Sequence, residues 1–168
     1  MTLPLTLDGV NALDREQFVE AFGWIFEHSP WVAERAWAER PFSSLDALYR
    51  AMVNRVAEAT REEQLALLRA HPDLGTRAKL SAASQGEQAG VGLDSLTAEE
   101  FERFSALSAA YRVKFGFPFL FAVKGSTKHD ILLAMEERLL ASYDGEFDEA
   151  LRQMYRIAGF RLELSAGV

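Results

Sequence analysis

Histidine is the side chain whose ordinary pKa suits proton transfer near neutrality. The chain has three: His28, His71 and His129. His28 stands in Glu27-His28-Ser29-Pro30, at an expected helix end, where a cation complements the helix dipole. His129 falls in the first turn of a charged helix start and reads as surface. His71 differs. It follows a Leu-rich helical stretch and precedes Pro72-Asp73-Leu74-Gly75. The proline pushes His71 out of the helical region, and Asp73 and Gly75 are turn formers. The imidazole is therefore expected at a rigid corner, where it either handles a proton or simply ends the helix.

Two further groups have suitable chemistry. In Ser84-Gln85-Gly86-Glu87-Gln88, a helix would place Ser84, Glu87 and Gln88 three and four apart on one face. A hydroxyl, a carboxylate and an amide side by side suit the reading of a polar heterocycle. The same spacing between Ser84 and Glu87 also fits a capping box, which needs no substrate. Arg161 lies seven residues after Met154, beside an apolar stripe. It either grips a carboxylate with two parallel bonds or snorkels from the core edge.

Other chemistries are missing from the sequence. There is no cysteine, so disulfides, thiolate metal sites and a cysteine nucleophile are excluded. No HExxH, metal-spaced histidine pair, Gly-rich phosphate loop with a following lysine, or G-x-S-x-G elbow occurs. What remains is an acid–base site that needs no metal or nucleotide.

The elements that must position these residues read as helices. Phe18, Phe22 and Ile25 share a face of a segment starting near Asp14. Leu45, Leu48, Tyr49, Met52, Val53 and Val56 form a second stripe, and Phe101, Phe104, Leu107, Tyr111 and Phe115 a third. Ile131, Met135 and Leu139 share a face, as do Phe147, Leu151, Met154, Tyr155 and Ala158. This is helical spacing. Thr60 with Glu63 and Thr97 with Glu100 are capping-box pairs. Pro30 and Pro41 bound a short helix. Phe117 to Val123 lacks alternation and contains Pro118, so a buried extended segment is expected rather than a strand. The stretch from Ser81 to Gly92 reads as a loop or a short exposed helix.

The 168 residues suffice for one domain with a sizeable core. The expectation is all-α, a single compact helical domain of about seven to nine helices spanning residues 1–168. A net charge of −7 argues against nucleic acid, and it requires a local positive group to capture any anionic substrate. No apolar run is long enough to span a bilayer. Residues 1–10 lack the pattern of a signal peptide, and the last residues are no peroxisomal address. A soluble, cytoplasmic protein is expected.

The blocks His71-Pro72-Asp73-Leu74-Gly75, Ser84 through Glu87-Gln88-Ala89-Gly90, Leu107-Ser-Ala-Ala-Tyr111, Lys114-Phe-Gly-Phe-Pro-Phe119 and Arg161-Leu162 stand in one order across most of the chain. Together they resemble the 2-oxo-4-hydroxy-4-carboxy-5-ureidoimidazoline (OHCU) decarboxylases. Each block alone is weak, but HPDLG, SxxEQAG and KFGFPF in one chain of this length are specific. One departure is Ser108, where the family usually has asparagine; it puts a local hydrogen bond in doubt.

The resemblance implies an all-helical carboxy-lyase of urate breakdown that forms (S)-allantoin without a cofactor or a metal. It implies His71 and Glu87 as catalytic. Pro72, Ser84, Gln88, Arg161 and the backbone around Phe119 and Leu120 would bind substrate. It leaves the oligomeric state open between a homodimer, plausible from the family, and a monomer. This resemblance, and not the spacing, favours catalysis over capping at His71 and Glu87. Two rivals stay open at this level: an enzyme of the same fold acting on another ureido or imidazole compound, and a helical interaction module without activity.

Overall fold

Single side chains fix where the helices begin. Asp14, Thr60, Thr97 and Thr127 each accept a hydrogen bond from the backbone N–H three residues on. The side chain at that third position in turn accepts one from the cap's own N–H. These reciprocal bonds satisfy donors that a helix start leaves orphaned. Thr6 and Ser44 cap in the simpler, one-way manner. The structure is a computed structural model and describes residues 6–72, 74, 82–90, 92–93 and 96–165. Among the described residues there are nine α-helices and no strand, so the fold is all-α. No helix among them is long and apolar enough to cross a membrane.

The chain divides into two compact units. The first comprises Met1–Ala70 and Tyr155–Val168. It contains α1 (Leu7–Ala12), α2 (Arg15–Phe22), α3 (Trp31–Trp37), α4 (Leu45–Ala57), α5 (Arg61–Arg69) and the last part of α9 (Tyr143–Ser165). α3 packs on both α2 and α4. Phe18, Phe22, Val32, Leu48, Met52, Val56, Leu67, Leu68 and Ala158 are buried in it. The α2 stripe ends sooner than its spacing predicts. The helix stops at Phe22, and Ile25 and Phe26 are buried from the turn that follows.

The second unit is His71–Met154. It holds α6 (Ala82–Ala89), α7 (Ala98–Phe115), α8 (Lys128–Arg138) and the start of α9. α7 packs on α8. The end of α7 is set by Gly116, whose φ of 77° is left-handed backbone that glycine adopts without strain. Phe117–Val123 then forms neither helix nor strand and is buried but for the half-buried Phe121. Its aromatic rings build the core. Tyr111 packs on Phe115, Phe117 and Phe119, with ring centroids 4.6, 5.9 and 5.3 Å away. Phe117 also meets Phe147 edge-on at 5.8 Å. Such tilted and edge-on pairs suit the charge distribution of aromatic rings.

Candidate active site

His71 lies two residues beyond the last helical residue of α5 and is buried. Pro72 follows it, half-buried. The expected corner is there: the helix has ended, and His71 stands in a bend before Pro72. Asp73 and Gly75, the expected turn formers, lie outside the described residues.

Glu87 and Gln88 sit near the end of α6. Gln88 is buried and Glu87 half-buried. The Gln88 carbonyl accepts from Leu93 N–H at 2.9 Å, which turns the chain back after the helix. The capping-box alternative fails here. α6 begins at Ala82, so Ser84 is its third residue and not the residue before it. Glu87 therefore does not close a box with Ser84. The Ser84 side chain is outside what the structure describes.

Phe119 and Leu120 are buried in the segment that follows α7. A buried segment outside helix and strand has no regular backbone partners, so side chains must satisfy its peptide groups. Arg138, at the end of α8, donates through Nη1 to the Leu120 carbonyl at 2.6 Å. Gln153 of α9 accepts from Ala122 N–H at 3.0 Å. The Arg138 guanidinium lies 4.3 Å from the Phe119 ring centroid and pairs with the buried Glu146. Tyr111 donates its hydroxyl to the same carboxylate. Burial, and then the bond to Glu146, push the Tyr111 pKa far above its ordinary value, so it remains a neutral donor.

Arg161 belongs to the first unit, whereas His71, Pro72, Ser84, Glu87, Gln88, Phe119 and Leu120 belong to the second. Its side chain is only 1% exposed, which rules out snorkelling. Nη1 lies 2.9 Å from Oε2 of Glu27, itself 2% exposed. The same nitrogen approaches the Trp24 and Ile25 carbonyls at 3.3 and 3.4 Å. Arg161 is thus fixed by the turn between α2 and α3. His28, expected at a helix end, belongs to that turn instead. It has a φ of 49° and a well-exposed side chain. His129 is exposed in the first turn of α8, as its pattern predicts.

Glu27, Arg138, Glu146 and Gln153 are the polar residues that pattern reading missed. Each sits in a turn or on a helix where a charged or amide side chain is unremarkable by type. Only their burial distinguishes them.

Comparison with known proteins defines the class. The sequence profile of the OHCU decarboxylase family matches residues 11–163. The chain is 53% identical over 158 residues to the 2-oxo-4-hydroxy-4-carboxy-5-ureidoimidazoline decarboxylase of Haloferax volcanii, covering 94% of each chain. It is 50% identical over 159 residues to the protein of the same name from Halalkalicoccus jeotgali, covering 95% of this chain and 90% of that one. The crystal structure of an (S)-allantoin synthase superposes with a TM-score of 0.77 at 33% identity. That match covers 96% of this chain and 54% of the other. The protein belongs to the OHCU decarboxylase family, whose members are carboxy-lyases.

Proposed function

We propose that this protein decarboxylates OHCU to (S)-allantoin in urate breakdown, without a metal or organic cofactor. The observation that carries the reading is the 53% identity to a named OHCU decarboxylase over 94% of both chains. The HPDLG, SxxEQAG and KFGFPF blocks support it.

The substrate's own structure supplies the electron sink. Its carboxylate sits on the hydroxyl-bearing ring carbon, next to the C=N carbon that bears the ureido group. As carbon dioxide leaves, the electrons of the broken C–C bond form a C=C bond between these two ring carbons. The C=N pair moves onto nitrogen, which takes up a proton. The hydroxyl then gives up its proton to become a carbonyl, and the ureido-bearing carbon takes a proton on one face. Net, one proton is consumed and carbon dioxide is released. Pyridoxal phosphate or thiamine diphosphate would otherwise do this job.

The protein's part is to hold the ring and place two protons. His71 takes the hydroxyl proton as base or hydrogen-bond partner. Glu87 faces the ring nitrogen or delivers the proton to carbon. Ser84 and Gln88 orient the ring, Pro72 shapes the site, and the backbone at Phe119 and Leu120 meets the ureido end. Arg161 anchors the anion, which the net charge of −7 would otherwise repel. The reading extends to a protein of the cytoplasm that acts on a small molecule, apart from nucleic acid and membranes, as a homodimer or a monomer.

The test uses freshly generated substrate, made by oxidising and hydrating urate, with the optical activity of the product followed over time. Spontaneous decay gives racemic allantoin. A single enantiomer formed in proportion to added protein supports the reading. Racemate formed at the background rate overturns it.

A further inference from the structure

We infer that Arg138, backed by Glu146 and Tyr111, is a positioning residue that sets the Phe119–Leu120 peptide for the ureido end of the substrate. The inference rests on the proposed role of that backbone. It adds a cause: what holds an otherwise unsupported segment in a defined direction.

The geometry is local. Arg138 donates to the Leu120 carbonyl at 2.6 Å, which fixes the peptide plane between Leu120 and Phe121. Gln153 accepts from Ala122 N–H at 3.0 Å, which fixes the next plane. Gln153 is itself held by Glu149, to which it donates at 3.0 Å. With both planes fixed, the backbone at Phe121 is held. The preceding peptide, which carries the Phe119 carbonyl and the Leu120 N–H, joins it through the rotations at Leu120, which the buried Leu120 side chain and the Phe119 ring under the Arg138 guanidinium restrict. Among the described residues, no hydrogen bond reaches that preceding peptide. Buried backbone groups are nearly always bonded, so a donor and an acceptor left over in a buried segment suit a ligand amide. A ureido group offers both partners.

Arg138 can do this because its own orientation is determined. Its guanidinium pairs with Glu146, which is 2% exposed, and lies over the Phe119 ring. The Tyr111 hydroxyl holds the carboxylate from the other helix. The planar fork serves a carboxylate and a carbonyl at once, which a lysine ammonium cannot do in one geometry.

The test uses the full-length protein, 15N-labelled, with (S)-allantoin as the titrated probe. Arg138→Lys keeps the charge beside Glu146 and loses the two-way grip. The double variant Arg138→Met with Glu146→Leu removes both charges, so neither is stranded, and it serves if Arg138→Lys folds poorly. The wild-type Leu120 amide should shift on titration. In the folded variants, KM and the (S)-allantoin Kd should rise about tenfold while kcat changes far less. A purely structural role would lower Tm and leave KM and Kd of the folded protein unchanged; that result overturns the inference. If the Leu120 amide shifts equally in wild type and variants with unchanged Kd, the inference fails while the site reading stands. If it does not shift in wild type, the site reading of this segment fails and takes the inference with it.

Discussion

Arg161 and Glu27 form an ion pair at 2.9 Å with their side chains 1% and 2% exposed. They stand 134 positions apart in the sequence, one near the end of α9 and the other in the turn after α2. Two charges taken out of water are tolerated only when paired, so the turn and the helix depend on each other here.

Substitution at either end should therefore affect both stability and binding. Glu27→Gln leaves the guanidinium buried beside a neutral amide and should cost up to about 3–5 kcal/mol in denaturant unfolding. Arg161→Lys retains the charge without the fork. Substrate binding should weaken by about 1–3 kcal/mol, read as KM. Unchanged KM in a folded Arg161→Lys protein would leave the residue a structural one.

At Glu87 the capping alternative predicts a different outcome from catalysis. Because α6 starts two residues before Ser84, Glu87→Gln removes no cap. Its stability should stay within about 0.5 kcal/mol of wild type. Turnover should fall roughly 10²-fold or more if the carboxyl handles a proton. His71→Asn should likewise fold and lose turnover. The double variant should be little worse than the poorer single one, since both act on one substrate. Active Glu87→Gln protein would remove Glu87 from the mechanism.

Ser108 faces the interior of α7 beside Phe104 and Tyr111. Its hydroxyl is buried with no hydrogen-bond partner among the described residues. A buried hydroxyl without a partner costs free energy. Ser108→Ala should therefore leave thermal stability unchanged or raise it. A clear fall in Tm would show that the hydroxyl is bonded in solution.

Acid should loosen the helix starts. Glu63 is held below its ordinary value of 4.5 chiefly by its hydrogen bond to Arg35, and then by the Thr60 N–H. Glu100 is held down by Lys128 and the Thr97 N–H. A carboxyl with a lowered folded pKa contributes stability that is present above its unfolded pKa. That stability is lost as the pH falls through the folded value. Tm should thus decline as the pH drops below about 4.5, and the decline should be shallower in Glu63→Gln and Glu100→Gln. Parallel profiles for wild type and variants would contradict this.

Chelation checks the cofactor-free mechanism directly. Dialysis against EDTA should leave turnover unchanged, because the proposed chemistry uses only side-chain protons and the substrate's own C=N bond. Loss of activity that zinc or manganese restores would overturn it.

The helical class was legible in the sequence because its signals are local. Thr60 with Glu63 and Thr97 with Glu100 act over one turn, and the spacing of Phe104, Tyr111 and Phe115 needs only helical geometry. The corner at His71 was legible for the same reason, since Pro72 acts on its immediate neighbour. The chemical set at His71, Glu87, Gln88 and Arg161 was named by resemblance of whole motifs; spacing left capping or snorkelling open at His71, Glu87 and Arg161. Tertiary structure decided the rest. The start of α6 at Ala82 separated Ser84 from a capping role, in a Gly- and Ser-containing stretch whose helix limits propensity fixes poorly. Burial turned Glu27, Arg138, Glu146 and Gln153 from ordinary polar residues into supports of Arg161 and of the Leu120 backbone. Burial of a charge depends on partners far along the chain, and no local pattern encodes which distant carboxylate or carbonyl will meet a given guanidinium.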